Sequence, residues 1–305
     1  MSTDFSFPHQ PVAPRSFGTH DGTFHADEVT ACALLLLFDL IERDKIIRTR
    51  DPLLLAACDF VCDVGGVYES RSHRFDHHQA TYQGLMSSAG LILNYLLESN
   101  AIDQGLYHHF NGSIILGVDA HDNGRDLVPK GVCSYSHIIA QYNPIEQEAP
   151  SKEQDRAFFV AVDFAYGLLE RQWHRYSYVH QCRALVEQAM RDGKDYLLFE
   201  KNIPWLESFF ELGGEEHPAR FLLMPSGPHW KLRAIPPSLL RKMEVRQPLP
   251  IAWAGLLEQE LAQVCGISGA LFCHKGRFIS VWQDRESALQ ALEYILEETP
   301  RLHKD

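Results

Sequence analysis

The chain has 305 residues, a formal charge of −12 with histidine neutral, and 45% hydrophobic against 22% charged residues. That length holds two ordinary domains, the balance excludes a disordered or fibrous chain, and the acidic excess argues against a broad basic surface for duplex DNA, whose non-specific binding comes from Lys and Arg. A short nucleic acid or nucleotide held in a local cleft stays compatible, because bound metal supplies positive charge there.

The first 17 residues have no apolar signal core and no Arg-rich amphipathic pattern. They read as an extended arm, with Pro8, Pro11 and Pro14 opposing helix. Ser16–Gly18 reads as a strand that ends at His20. Val29, Cys32, Ala33, Leu36, Leu37 and Leu40 then recur at helical spacing, and Leu34, Leu35 and Phe38 make that helix apolar nearly all round. The longest apolar run, Ala31 to Phe38, is too short to span a bilayer. Ile46–Arg50 is a short strand stopped by Asp51-Pro52, and Phe60–Val64 a second one stopped by Gly65-Gly66. Ser87 to Gly90 opens a helix through Leu97, with a serine as its cap. This rhythm predicts an α/β domain, a parallel sheet covered by helices on both faces.

Ser151 to Met190 is helical, with aromatic residues that read as core. Asp192-Gly193-Lys194 ends it and marks the expected boundary between a catalytic domain, 1–193, and a C-terminal domain, 194–305. There the texture changes. Phe221–Met224 and Trp230–Ile235 flank Pro225–Pro228, and Ala270–Cys273 and Arg277–Trp282 flank His274–Gly276; both are hairpin signals. With a last helix from Arg285 to Glu298, this is a smaller mixed α+β domain. Seven cysteines without a CxxC pair, and no signal segment, point to reduced, buried thiols in a cytoplasmic protein.

Histidines and carboxylates cluster at the ends of these elements. His20, His25 and Asp27 sit where the first strand gives way to the buried helix, the place where open parallel sheets bind ligands. Asp63 ends an apolar strand, and a carboxylate there is costly unless paired or metal-bound. Arg74-Phe75-Asp76-His77-His78-Gln79 is the third group. The fourth is an acidic turn, Gly117 to Gly124, after Ile114-Ile115-Leu116. Taken singly, each is more simply a cap, a turn or a surface residue; four together weaken that explanation. Three imidazoles and three carboxylates without thiolate suit Mn²⁺ before Zn²⁺ or Mg²⁺. Six ligands exceed one ion's usual demand, so two divalent metal ions roughly 3.5–4 Å apart are expected.

Asp76-His77-His78 is the tripeptide of the DHH phosphoesterases. In order and spacing, GTHDGTFHADE, RTRDP, DVGGVYE, HRFDHHQ, SSAGL and DAHDNG resemble the Myg family, the melanocyte-proliferating-gene exonucleases also called metal-dependent protein hydrolases. The stretch QPLPIAWAGLLEQELAQVCGISGALFCHKGRFI resembles that family's C-terminal part, although Ser280-Val281-Trp282 stands in a loop where glycines are expected. The resemblance implies a DHH-like catalytic domain and a C-terminal substrate-binding domain with the substrate between them. It implies Mn²⁺-dependent phosphodiester hydrolysis and, by analogy with eukaryotic members, 3′→5′ exonuclease action on RNA. By the same analogy His20, His25, Asp27, Asp63, His77 and Asp119 are the metal ligands, and His78 faces the phosphate. Many members of the wider superfamily have Asp where this chain has His25.

Such a pair of ions makes hydroxide available near neutral pH, with Asp63 as the bridging ligand. His78 or Arg74 would neutralise the phosphate oxygens, and Arg48, Arg50 and Arg125 are candidate phosphate clamps. The alternatives are a small-molecule phosphohydrolase acting on pyrophosphate, a dinucleotide or a nucleoside phosphate, and a non-catalytic metal-binding module. The chain has no HExxH and no nucleophile triad to support protein hydrolysis. No membrane association is expected, and the sequence carries no signal for oligomeric state.

Overall fold

The computed structural model describes residues 12–146 and 148–298. Of the expected N-terminal arm, Pro8 and Pro11 lie outside the described residues. Pro14 lies inside strand β1, Ala13–Thr19, near its exposed start, where a missing N–H is tolerated. The chain divides into two compact units, 1–176 and 177–305. The division falls within a 40-residue helix, upstream of the turn at Gly193.

In the first unit, β1 leads into α1, Ala26–Leu37, of which every residue but Leu36 is buried. β2, Ile46–Arg48, is followed by the short α2, Pro52–Ala56, capped by Asp51, whose side chain accepts the Leu53 N–H. Then come β3, Cys58–Cys62, and the two-residue strands β4, Tyr68–Glu69, and β5, Arg74–Phe75. The sheet order is β2-β1-β3-β5-β4. The first four strands are parallel, and β4 pairs antiparallel with β5. Parallel strands are buried on both faces, but the two covers here are unequal. One face carries the main core, built from Phe17, Phe60 and Phe75 with α1 and the helices that follow. The other carries a small cluster of Leu55, Cys58 and Val61.

α3, Ser88–Glu98, packs on α1. Gln104–Asp122 is one continuous helix with a different inner geometry from end to end: α4, Gln104–Phe110, a π turn over Asn111–Ile115, and α5, Leu116–Asp122. The expected acidic turn is therefore helical; a short apolar run such as Ile114–Leu116 does not by itself distinguish strand, turn approach and buried helix. α6, Tyr135–Ala140, precedes the long α7, Ser151–Met190. Phe158, Ala161, Val162, Ala165 and Leu169 of α7 belong to the first unit's core, and Cys182 and Val186 to the second's.

The second unit adds β6, Tyr196–Leu198, α8, Leu206–Glu211, β7, Phe221–Ser226, β8, His229–Ala234, α9, Glu258–Cys265, β9, Ala270–Cys273, β10, Ile279–Trp282, and α10, Arg285–Glu298. Both expected hairpins form, and the sheet order is β6-β7-β8-β10-β9. Ser280–Trp282 lies in strand β10, with Trp282 fully buried, rather than in a loop. All seven cysteines are free, and Cys133 alone among them is exposed. Among the described residues no helix is long and apolar enough to cross a membrane.

Candidate metal centre

The carboxyl ends of β1 and β3 and the segment after β5 meet at one point, because parallel strands end on the same edge. β1 stops at Thr19, and residues 20–25 form a loop held from two sides. The Asn143 amide accepts the Phe24 N–H at 3.0 Å and donates to the Phe24 carbonyl at 2.8 Å. The Arg48 guanidinium donates to the Gly22 carbonyl. His20, 5% exposed, has Nδ1 2.9 Å from the Asp21 carbonyl, which leaves Nε2 as its ligand atom. His25 is the cap residue of α1, and Glu28, three residues on, accepts its N–H at 2.9 Å. The same Glu28 oxygen is 3.1 Å from His20 Nε2. Asp27 accepts the N–H of Ser88 at 3.0 Å and that of Ala89, so it caps α3 across the core.

Asp63 follows β3 with φ +56°, a left-handed conformation that Asp adopts more readily than most residues. Its oxygens are 3.3 Å from His20 Nε2, 3.6 Å from His77 Nε2 and 3.3 Å from His78 Nδ1. His77 Nε2 is also 3.5 Å from Asp27 and 3.1 Å from Asp122. His77 and His78 follow β5 rather than continuing it, and their ring centroids are 4.3 Å apart. The alternation of side chains along a strand therefore does not separate them. Burial does: the His77 side chain is 6% exposed and that of His78 63%. Asp76, buried, accepts the Gly66 N–H and holds His78 Nδ1 at 2.9 Å.

Among the described residues, candidate ligand atoms fall into three groups: His20, His25, Glu28 and Asp63; Asp63, His77 and His78; Asp27, His77 and Asp122. Asp63 and His77 each belong to two. Glu28 Oε2, Asp63 Oδ1 and His77 Nε2 are buried without a hydrogen-bond partner. Buried polar atoms are costly when unpaired, so this donor set of imidazoles and carboxylates fits divalent cations.

The charges respond accordingly. Burial lowers the pKa of His20, but Asp63 and Glu28 outweigh it and hold the imidazole at about 10. Burial also disfavours charge on His77, yet Asp122, Asp27 and Asp63 push it up to about 12. Burial works to raise Asp63, but His20 and His77 keep it well below the usual carboxylate range. Burial raises Asp27 and Glu28.

Several residues singled out in the sequence lie elsewhere. Asp119 joins none of the three groups. One of its oxygens accepts the Ser87 N–H at 2.9 Å and the Ser87 hydroxyl at 2.8 Å. The carboxylate also sits against Gly90, where a Cβ would come within 2.6 Å of it. Ser87 thus occupies the cap position of α3 but turns its hydroxyl to Asp119. Asp122, one helical turn on, is the carboxylate that reaches His77. Arg74 is not at the site: its guanidinium donates to the Cys58 and Asp59 carbonyls, at the opposite end of β3. Arg48, its side chain 1% exposed, is engaged by Gly22 and by Asp155 at 3.1 Å and lies over Phe158. Arg125 donates to the Leu85 carbonyl. Of the three candidate clamps only Arg50 lines the cavity of about 820 Å³ that opens on the cluster, with its Nε 3.2 Å from Asp21. Glu28 and Asp122 are candidate ligands absent from the set expected from the sequence; for Glu28 the spacing from His25 is that of a capping box, a signal that could have found it.

A family model named for the MYG1 exonucleases, and described as an uncharacterised protein family (UPF0160), matches residues 16–295. The chain is 52% identical to the MYG1 protein of Chlamydia pneumoniae over 285 residues, 93% of this chain and 98% of that one. It is 33% identical to the MYG1 exonuclease of Mus musculus over 332 residues, 95% of this chain and 87% of that one. Among solved structures, RecJ of Thermus thermophilus in complex with Mn²⁺ aligns over 93% of this chain and 52% of its own, at 13% identity and a TM-score of 0.27. With the family match running from β1 into α10, the chain belongs to the MYG1 family.

Proposed function

We propose that the chain is a divalent-metal-dependent phosphodiester hydrolase, DHH-like in its first unit, that removes nucleotides from the 3′ end of RNA or short oligonucleotides. The observation that carries this reading is the buried cluster in which Asp63 and His77 are shared between ligand groups and three polar atoms lack partners. The exonuclease name of the mammalian relatives supports the nucleic-acid substrate. Two ions, Mn²⁺ before Mg²⁺ or Zn²⁺, fit the donor set. His20, His25, Asp27, Asp63 and His77 would hold them, joined by Glu28 and by Asp122 in the place first given to Asp119. When bound, the ions supply hydroxide at neutral pH and positive charge for the phosphate.

The chain's own residues do the rest. Asp76 accepts from His78 Nδ1 and orients the ring, so that the exposed Nε2 edge can donate to a phosphate oxygen when the imidazole is protonated. Arg50, on the cavity wall and 64% exposed, adds a second positive group for the substrate. Asp119 acts through position, fixing the start of α3 and with it the Ser88 and Ala89 amides that hold Asp27. Arg48 and Asn143 fix the loop that carries His20 and His25.

The net charge of −12 favours a second reading, a small anionic substrate such as pyrophosphate or a dinucleotide. The test is one assay of purified protein, with and without Mn²⁺, against RNA and DNA labelled at either end, dinucleotides and pyrophosphate. Metal-dependent shortening of 5′-labelled RNA by single nucleotides supports the exonuclease. Turnover of pyrophosphate alone replaces it with the second reading. Tight metal binding with no turnover of any of these makes the centre a binding module.

A further inference from the structure

Strand β8 alternates in charge as well as polarity. Trp230, Leu232 and Ala234 share the face that joins the core against α9 and α10. Lys231 and Arg233 point to the other face, since side chains alternate along a strand. Their cross-strand partners place them beside apolar residues: Arg233 opposite Leu222 and Ile279, Lys231 opposite Met224 and Val281. Val281 in turn pairs with Phe272. Leu222 and Met224 are packed into a core cluster with α7 and α8. Ile279, Val281 and Phe272 join none of the clusters among the described residues and stay half-buried.

The two cations are half-buried in this apolar setting and repel one another. Burial lowers the pKa of both, and the neighbouring Arg233 charge lowers Lys231 further. Among the described residues neither forms an ion pair. Lys231 donates to the Asn202 amide oxygen at 3.2 Å, and the Arg233 guanidinium has no hydrogen bond to any described residue. Acidic residues outnumber basic ones in this chain, 40 to 28, so carboxylate partners were available in quantity. An unpaired, partly desolvated guanidinium beside a like charge is a cost that a bound anion would remove. Two cations one pleat repeat apart, about 6.6 Å, beside the half-buried side chains of Ile279 and Val281, form a track for a backbone of repeated phosphates.

We infer that the Lys231–Arg233 face of the C-terminal sheet binds the phosphate backbone of a single-stranded oligonucleotide. The inference rests on the nucleic-acid reading proposed above and supplies it with a contact remote in sequence from the metal cluster. Both groups are cations without base-reading geometry, so the contact is to backbone and carries no sequence preference.

The experiment measures binding of a fluorescent single-stranded RNA 12-mer by anisotropy, in EDTA so that hydrolysis plays no part, at several salt concentrations. Full-length protein is compared with Lys231→Gln, Arg233→Gln and the double variant. Expected are a loss of about 10-fold or more in the double variant and a salt slope smaller by about one for each lysine or arginine removed. Thermal midpoints are measured on the same samples. They should stay level or rise, because each substitution removes an unpaired charge. Unchanged RNA affinity and salt slope in the double variant overturn the inference, as does an absence of 12-mer binding by the parent. A fall in the thermal midpoint on losing Arg233 also overturns it, since the charge would then be serving the fold. If the 12-mer binds through these residues but is not shortened when Mn²⁺ is restored, the face stands and the nuclease reading fails.

Discussion

Asp119 and Asp122 lie one helical turn apart, and replacing each with alanine should give opposite phenotypes. Asp119 is 5% exposed, and its Oδ1 satisfies both the amide and the hydroxyl of Ser87. Leaving two buried donors unpaired costs about 1–3 kcal/mol each. At about 2–4 °C per kcal/mol for a domain of this size, the resulting loss of about 2–6 kcal/mol means that Asp119→Ala should lower the thermal midpoint by roughly 4–24 °C. The side chain of Asp122 is 15% exposed and its close partner is His77 at 3.1 Å. Its removal should shift the metal-free midpoint by no more than about 2–4 °C, about 1 kcal/mol at this size, because Asp27 and Asp63 still face His77. Loss of an outer partner of a metal ligand costs about 10–100-fold in affinity, so loss of a direct carboxylate should cost at least about 100-fold. Scanning fluorimetry in EDTA reads the first effect, and calorimetric titration with Mn²⁺ the second. An Asp119→Ala protein that melts like the parent but no longer binds Mn²⁺, beside an Asp122→Ala protein that binds it normally, would refute the assignment.

Three more outcomes are expected. His77→Ala should lose bound metal and turnover together, whereas His78→Ala should keep its metal and lose mainly kcat, because its contact develops in the transition state; equal metal loss in both, by elemental analysis, would remove the division of roles. Metal binding requires neutral imidazoles, and His20 and His77 are protonated at pH 7.5 in the metal-free protein, with pKa values of about 10 and about 12, so binding should release up to two protons and tighten as pH rises. The folded-state pKa of His77 is raised, so its stabilising charge is fully present below the unfolded value of about 6.5 and is lost as pH climbs towards about 12; metal-free stability should fall over that window, and calorimetry in buffers of different ionisation enthalpy that shows no proton release would contradict the charge state. Arg48→Lys should not rescue Arg48→Ala, since lysine cannot reproduce both the Gly22 contact and the stacking on Phe158, and a lysine variant with parental melting and activity would show that the loop needs only a charge.

What was legible in the sequence was whatever depends on neighbours along the chain. His20, His25, Asp27, Asp63 and His77 could be grouped because each ends an element, and the ends of parallel strands share an edge. The two C-terminal hairpins were readable from turn residues between apolar runs. What was not legible depends on rotation and on distant partners. Whether Asp119 or Asp122 faces the cluster is decided by the turn of one helix about its axis. Arg74 looked catalytic because it adjoins Asp76-His77-His78, yet its guanidinium runs back to carbonyls of a neighbouring strand, a contact that no local pattern announces. β4, β5 and β6 are too short for a period to register. β6 in particular is recognisable only from its parallel pairing with β7.

The π turn at Asn111–Ile115 sets which way the two carboxylates beyond it face. A π turn holds about one residue more than the α-helical turn it replaces. If all of its residues tightened to ordinary α-helix, everything after it would swing by about 100°, one residue's share of a 3.6-residue turn, relative to Leu106 and Phe110, which anchor the preceding turns in the core. Asp119 would leave Ser87 and Asp122 would leave His77 in the same motion. Removing one of Gly112 or Ser113, by contrast, would let the stretch become α-helix with both flanks still in register. A codon lost inside the wide turn should therefore be tolerated, whereas one lost from the α-helical turn that follows would disconnect both carboxylates while leaving their side chains intact.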